Sequence, residues 1–391
     1  MLADTYRREK VQLDRLFDVD YPAYFVHPAA EYQALVDNAG VIDLTHWRVF
    51  RLSGKDRVSF LQAMVTNDVD SIEPGMGVHS LITTIKGKIV AELLLFAKDD
   101  VVLVLVPQGD ADEAYDIFKK HIIMEDVAID DISSQYGVIA IEGPRSEDIM
   151  WRLFPTGPFP KEPLQTFDRE FDDAKIFLFR HSATGETGYQ LMIPVEHIEY
   201  IRDYIVQAAR GSDGLPIGSI AWNMRRIEMG LPWYGIDFDE ENFPDESRLG
   251  STISYTKGCF RGQETLARLH YRGHVNRVLA GLTTTDDPTQ AIDKAVAEFA
   301  SVINNYDEEG LKQEARASAE LLTACTATEG DLIDVQTSKP IGRVTSVAFS
   351  PRLGKSLLLG YIRREIVEEG HAVRLESLGE LSTIDLPIVI E

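Results

Sequence analysis

Residues 79–98, HSLITTIKGKIVAELLLFAK, hold two apolar runs broken at Lys86–Lys88, and a third run, DVVLVLVP, follows at 100–107. The break reads as a hairpin turn, so the runs predict strands paired through tight connections. Helical periods surround them. HPAAEYQALVDNAG (27–40) reads as a helix closed by Gly40, and GKDRVSFLQAMVTNDV (54–69) sets Val58, Leu61, Met64 and Val65 at helical spacing. DADEAYDIFKKHIIM (110–124) puts Ala114, Ile117 and Phe118 on one face. Helices mixed with hairpin-paired strands predict an α+β fold rather than a doubly wound sheet.

A second α+β passage starts near GVIAIEGPRSEDIMWRLF (137–154) and contains the strands KIFLFRHSA and GYQLMIP and the helix VEHIEYIRDYIVQAAR. The repeated element order predicts two related halves, split near residues 135–145, within a unit spanning 1–277. From 278 to 391 short strands with Gly and Pro punctuation, among them GRVTSVAFSPRLGKSLLLGYI, predict a small β-barrel or sandwich. Residues 288–328 interrupt it with helical spacing (Ile292, Val296, Phe299, Ile303, then Leu311, Ala315, Ala319, Leu322) and read as an inserted helical hairpin, either a packing decoration or a partner surface.

With 391 residues, two or three domains are expected. The net charge of −24 repels nucleic acid and anionic membrane, so an anion site must be a local basic island. No apolar run approaches a membrane span, and the first twenty residues lack the pattern of a signal peptide. Cys259 and Cys325 make neither a disulfide framework nor a metal-ligand spacing, so no metal site is expected. The composition reads as soluble and cytoplasmic.

Four patches could carry chemistry. In SYTKGCFRGQE (254–264) Cys259 stands between Lys257 and Arg261, with Gly262 and Gln263 opening a helix, a setting that favours a thiolate; the plainer reading is a buried small residue. ARLHYRGHVNR (267–277) supplies Arg268, His270, Arg272, His274 and Arg277, either an anion site or salt bridges to the surplus acids. Glu92 lies within an apolar strand and, by alternation, shares a face with Val90 and Leu94; if that face is buried, its pKa should rise and it becomes a proton acceptor. HSATGETGYQLMIP and NMRRIEMGLPWYG carry Glu186, Gln190, Arg226 and Glu228 among glycines, by default turn chemistry and ion pairing. No Rossmann fingerprint, P-loop or HExxH is present in the required setting.

Taken together, LVDNAGVIDLTHWRVFRLSGKDRVSFLQAMVTNDV, YGVIAIEGPRS, TGETGYQLMIP, RRIEMGLPWYGIDFDEENFP and the barrel segment resemble, in order, the folate-binding superfamily of the glycine cleavage T protein. KGCFRGQE resembles the mark of its YgfZ branch, which is linked to maintaining iron–sulfur enzymes. The resemblance implies two α+β halves and a barrel around a central channel that holds tetrahydrofolate or a one-carbon derivative. It implies that Glu92 stands at the family's acid beside the reacting folate nitrogen. Gln190 stands where the family has a pterin-gripping Glu, and Pro107 falls in the strand end that is VVNA in the family. Arg226 matches a family arginine and is carried over as a folate-binding or channel residue, and Cys259 is expected on the channel wall, with Lys257, Arg261, Gln263, Arg268 and Arg272 around the cofactor. Three functions follow as expectations: a tetrahydrofolate-binding protein that supports an iron–sulfur enzyme, a folate-dependent aminomethyltransferase or methyltransferase working with a lipoyl carrier or a small donor, and a non-catalytic scaffold.

Overall fold

A computed structural model of the chain describes residues 1–98, 100–284, 330–376 and 378–388. It opens with helix α1 (Ala3–Arg8) and a hairpin of β1 (Gln12–Leu16) and β2 (Val19–Tyr24) that pairs with no other strand. Helix α2 (Pro28–Asp37) starts where Pro28 occupies its first turn and His27 Nδ1 accepts from the Ala29 amide at 3.1 Å. Then come β3 (Gly40–Asp43), β4 (Arg48–Ser53), α3 (Arg57–Met64), β5 (Gly77–Thr83), β6 (Ile89–Ala97) and β7 (Val101–Val106). Helix α4 (Ala111–His121) is capped by Asp110, whose carboxylate accepts from the Glu113 amide, and it ends in Lys119, Lys120 and His121, as the helix dipole favours. With β8 (Ala128–Asp131), these strands form a sheet in the order β5-β6-β7-β4-β8, and β5 and β6 are the hairpin foreseen around Lys86–Lys88.

The second unit comprises β9 (Tyr136–Glu142), α5 (Ser146–Leu153), β10 (Thr166–Phe171), β11 (Ala174–Arg180), β12 (Gly188–Pro194), α6 (Ile198–Arg210), β13 (Leu215–Pro216) and α7 (Ser219–Met229). Its sheet runs β10-β11-β12-β9-β3-β13. The early strand β3 is built into it, antiparallel to β9 and parallel to β13. A cut near 135–145 therefore does not separate the two sheets, because hydrophobic β3 is completed by strands from the later half.

Helix α8 (Gln263–Arg272) leads to β14 (Arg277–Thr284), β15 (Gly330–Asp334), β16 (Pro340–Ser350), β17 (Lys355–Arg363), α9 (Arg364–Glu369), β18 (Val373–Leu375) and β19 (Gly379–Ile384). The six strands close into a barrel in the order β14-β17-β16-β15-β18-β19. The fold is thus two α+β units plus a small β-barrel, as the sequence predicts. The expected helical insertion at 288–328, with Cys325, lies outside the described residues. Among the described residues no helix is long and apolar enough to cross a membrane.

One apolar cluster joins the three parts. Leu94, Phe96 and Leu105 of the first sheet meet Ala140, Phe179 and Met192 of the second, with Trp222 and Ile227 of α7, Trp233, and Phe349, Leu357 and Tyr361 of the barrel. At about 25 cal/mol per Å² of apolar surface removed from water, each large ring buried here contributes on the order of 2–3 kcal/mol. This seam fixes how the sheets face one another and so sets the side chains at their common end.

Candidate functional site

Strand β6 is buried on both faces. Glu92 points with Leu94 and Phe96 toward the central seam, and it is 7% exposed. Val90 does not share that face: the register shifts by one residue between Ile82 and Thr83, and Val90 in the bulge joins the cluster behind the sheet. Because His79 pairs with Leu94 in the β5–β6 register, it is the diagonal neighbour of Glu92 on the same face. His79 Nε2 lies 2.6 Å from Glu92 Oε1. The other carboxylate oxygen accepts from Gln108 Nε2 at 3.2 Å. Gln108 is itself held by the Tyr234 amide, which donates to its Oε1 at 2.7 Å.

His181, one residue past β11, completes the group. Its ring stands 6.2 Å from the His79 ring and 6.0 Å from Trp47. Burial pushes the His181 imidazole down to about 4, and His79 adds to the effect. Burial alone would raise Glu92, but His79, its hydrogen bond, His181 and the Gln108 bond outweigh it, so the carboxyl ends below its usual range. The expectation of a raised pKa at a buried Glu92 is therefore reversed, because imidazoles face the carboxylate across the strand pair. The site holds an ionised, desolvated carboxylate, and its contact with solvent runs through His79, whose side chain is 30% exposed.

Gln190 is wholly buried on β12, opposite Phe179. Its Nε2 donates to Glu142 Oε1 at 2.8 Å, and its own Oε1 has no hydrogen-bond partner among the described residues. Glu142 also accepts from Ser182, Thr184 and the Ala183 amide. Burial nevertheless raises its carboxyl to about 7. A buried acceptor left open on the central face, beside a neutral-leaning acid, is equipped for an N–H donor from a ligand.

A cavity of about 700 Å³ lies next to this group. Gln108, Pro107, His46, Tyr234 and the β1–β2 tip line it, and Gln108 is the lining residue that donates to Glu92. His46 stacks on Phe17 at 4.5 Å between ring centroids, and its Nδ1 has no partner among the described residues.

The remaining sequence candidates take other roles. Arg226 is 1% exposed and fully engaged: Nε donates to Asn223 Oδ1 at 2.9 Å, Nη1 to Leu231 O at 3.0 Å and Asp237 Oδ2 at 2.5 Å, and Nη2 to Ser346 Oγ at 2.7 Å. It ties α7 to the barrel. Cys259 is exposed, whereas Glu92 is buried. Its supposed activators are used elsewhere: Lys257 Nζ donates to Val65 O at 2.8 Å and Asn67 O at 2.6 Å, and Arg261 Nε donates to Thr83 O at 2.9 Å. Both cations staple the loop to the first unit, and burial lowers the Lys257 amine to about 8. Gln263 begins α8, while Arg268 and Arg272 are exposed along it. Sequence reading missed His79, Gln108 and His181; the signal that could have found the first is the strand register itself. Among the described residues no cluster of His, Cys, Asp and Glu is arranged to hold a metal.

Residues 2–257 match the GCVT N-terminal domain family, and residues 316–387 match the glycine cleavage T-protein C-terminal barrel domain. The aminomethyltransferase of Chlorobaculum tepidum is 31% identical over 247 residues, covering 62% of this chain and 67% of that protein. The aminomethyltransferase of Chloroherpeton thalassium is 25% identical over 366 residues, covering 93% and 90%. The solved glycine cleavage system aminomethyltransferase T from Bartonella henselae superposes with a TM-score of 0.80 at 18% identity, covering 99% of this chain and 97% of that one, which speaks to the fold.

Proposed function

Since the chain belongs to the family of the glycine cleavage T protein, we propose that it is a tetrahydrofolate-dependent aminomethyltransferase. The observation that carries this reading is Glu92, a desolvated carboxylate kept ionised by His79 and Gln108 at the seam between the two sheets. The buried open acceptor at Gln190 Oε1 suits an N–H on a pterin edge, so the residues fit the ligand. Bound tetrahydrofolate supplies a secondary amine that takes up the one-carbon unit.

Glu92 Oε2, whose bond to Gln108 is the longer of its two, is the oxygen with capacity for a ligand N–H. There it orients the amine and holds the positive charge that develops on it. His79, half-buried and bonded to Oε1, is the route by which a proton leaves for solvent. Gln108, itself anchored to Pro232 O and the Tyr234 amide, holds the carboxylate in place. The donor carrying the aminomethyl group is a lipoyl carrier protein in this reading, as the resemblance to the glycine cleavage T protein implies.

Titration with tetrahydrofolate, followed by transfer from an aminomethyl-lipoyl carrier, tests this. Binding by the wild type, and transfer lost on Glu92→Gln while binding persists, is expected. Absence of binding at high micromolar ligand overturns the reading.

A second reading, support of an iron–sulfur enzyme, is favoured by one observation: Cys259 of KGCFRGQE is displayed to solvent on a loop stapled by Lys257 and Arg261. In that case Cys259→Ala abolishes rescue of an iron–sulfur enzyme in cells and leaves folate binding intact. Rescue equal to wild type removes this reading.

A further inference from the structure

The β1–β2 hairpin turns at Phe17–Asp18, between the paired residues Leu16 and Val19. Both turn residues have left-handed backbone, φ 51° and 59°. Two-residue hairpin turns take that conformation, but they use Asn, Asp or Gly for it; phenylalanine is disfavoured there. A strained position of this kind points to a use for the side chain it presents. Phe17 lies flat on His46, with ring planes 16° apart, and meets Trp233 and Trp222 edge-on at 5.1 Å and 5.9 Å between centroids.

The same tip separates two cavities. On one side is the space of about 700 Å³ that reaches Gln108 and, through it, Glu92. On the other is a space of about 180 Å³ bounded by Asn223, Arg226 and Ser346. Arg15, Leu16 and Ile236 line both. The hairpin lies outside the larger sheets and is anchored through β2, where Tyr21, Pro22 and Ala23 are buried. Its tip is less enclosed: Phe17 is half-buried and Asp18 and Val19 are exposed, and segments with little buried surface open at low energy.

We propose that Phe17 is the gate of the central channel: the hairpin tip withdraws to admit a flat, ring-bearing ligand, whose ring replaces Phe17 against His46 and the two tryptophans. The exchange is ring for ring, so the open form is favoured only by a ligand that restores the stacking. The larger cavity then opens as a passage for a reduced pteridine, with Gln108 on its wall. This inference rests on the folate reading above for the identity of the ligand.

Two substitutions push the gate in opposite directions. Phe17→Ala removes the plug, whereas Asp18→Gly keeps the ring and places the residue most at ease in left-handed backbone at the turn, which firms the closed form. Stopped-flow tryptophan fluorescence on the full-length protein with tetrahydrofolate should give association about ten-fold faster in Phe17→Ala and about three-fold slower in Asp18→Gly. Acrylamide quenching of the ligand-free protein should rise in the first variant and not in the second. Equal association rates in all three proteins, or a shift of both variants in the same direction, overturn the gate. If none of the three binds tetrahydrofolate, the folate reading fails instead, and the gate stands or falls on quenching: equal quenching in all three overturns it.

Discussion

Glu92 Oε1 and His79 Nε2 are 2.6 Å apart although they stand on different strands and are not directly opposite in register. The contact depends on the diagonal of an antiparallel pair, and it decides the charge state of the carboxyl. His79→Gln removes the main groups that oppose desolvation, so the Glu92 pKa must climb. In the wild type the acid limb of the transfer rate contributed by Glu92 therefore lies below the ordinary carboxylate range; in His79→Gln it shifts to higher pH, while Glu92→Gln loses on the order of 10²–10⁴ in rate at every pH. A pH–rate profile of the three proteins checks this.

The stability of the fold has opposing pH dependences built into it. Burial raises Glu31 and Glu142 to about 7 and lowers His27 and His181 to about 4 and His46 to about 3. Between pH 4.5 and 7 the folded glutamic acids hold protons that the unfolded chain has lost, so their share of stability falls as pH rises. The unfolded histidines bind protons below about 6.5 that the folded ones refuse, so their share rises with pH over roughly 4–6.5. Glu142→Gln deletes one falling contribution. Urea unfolding should show a slope more positive than wild type by up to about 1.4 kcal/mol per pH unit between pH 4.5 and 6.5.

Arg226 is expected to act on stability and not on folate affinity. Arg226→Met leaves Asp237 buried, with Thr345, Ser346 and the Trp233 amide as its remaining partners. Breaking a buried pair in this way costs about 3–5 kcal/mol. Thermal melting should show the loss, and the folded fraction should bind tetrahydrofolate with affinity unchanged within two-fold, roughly 0.4 kcal/mol.

Cys259 is exposed while Glu92 is buried, so tetrahydrofolate held at the carboxylate should not protect the thiol. Maleimide labelling of Cys259 is expected at the same rate with and without the ligand, and Cys259→Ala should transfer one-carbon units as the wild type does. Slower labelling in the presence of ligand would bring the loop back to the binding site.

Much of the architecture was legible because periodicity reports burial: Ala114, Ile117 and Phe118 do face the core of α4, and the KGK break is the β5–β6 turn. Glu92 was legible for a related reason, as a lone acid in an apolar strand. Its partners were not. His79 and His181 reach it across strand register and past a strand end, and register is set by bulges such as the one at Val90, which spacing along one strand does not encode. Lys257, Arg261 and Arg226 show the converse: a cation written beside a candidate group can donate to acceptors far along the chain, as these do.

Strand β3 is made early and used late. A ribosome releases Gly40–Asp43 well before β9 at Tyr136–Glu142 or β13 at Leu215–Pro216, the two strands that flank it. The strands that pair with those four residues in the finished fold are absent until the second unit has been made. The halves cannot be produced as separate fragments cut between the two units and then mixed, because the second would lack an inner strand and the first would carry its orphan as an adhesive edge.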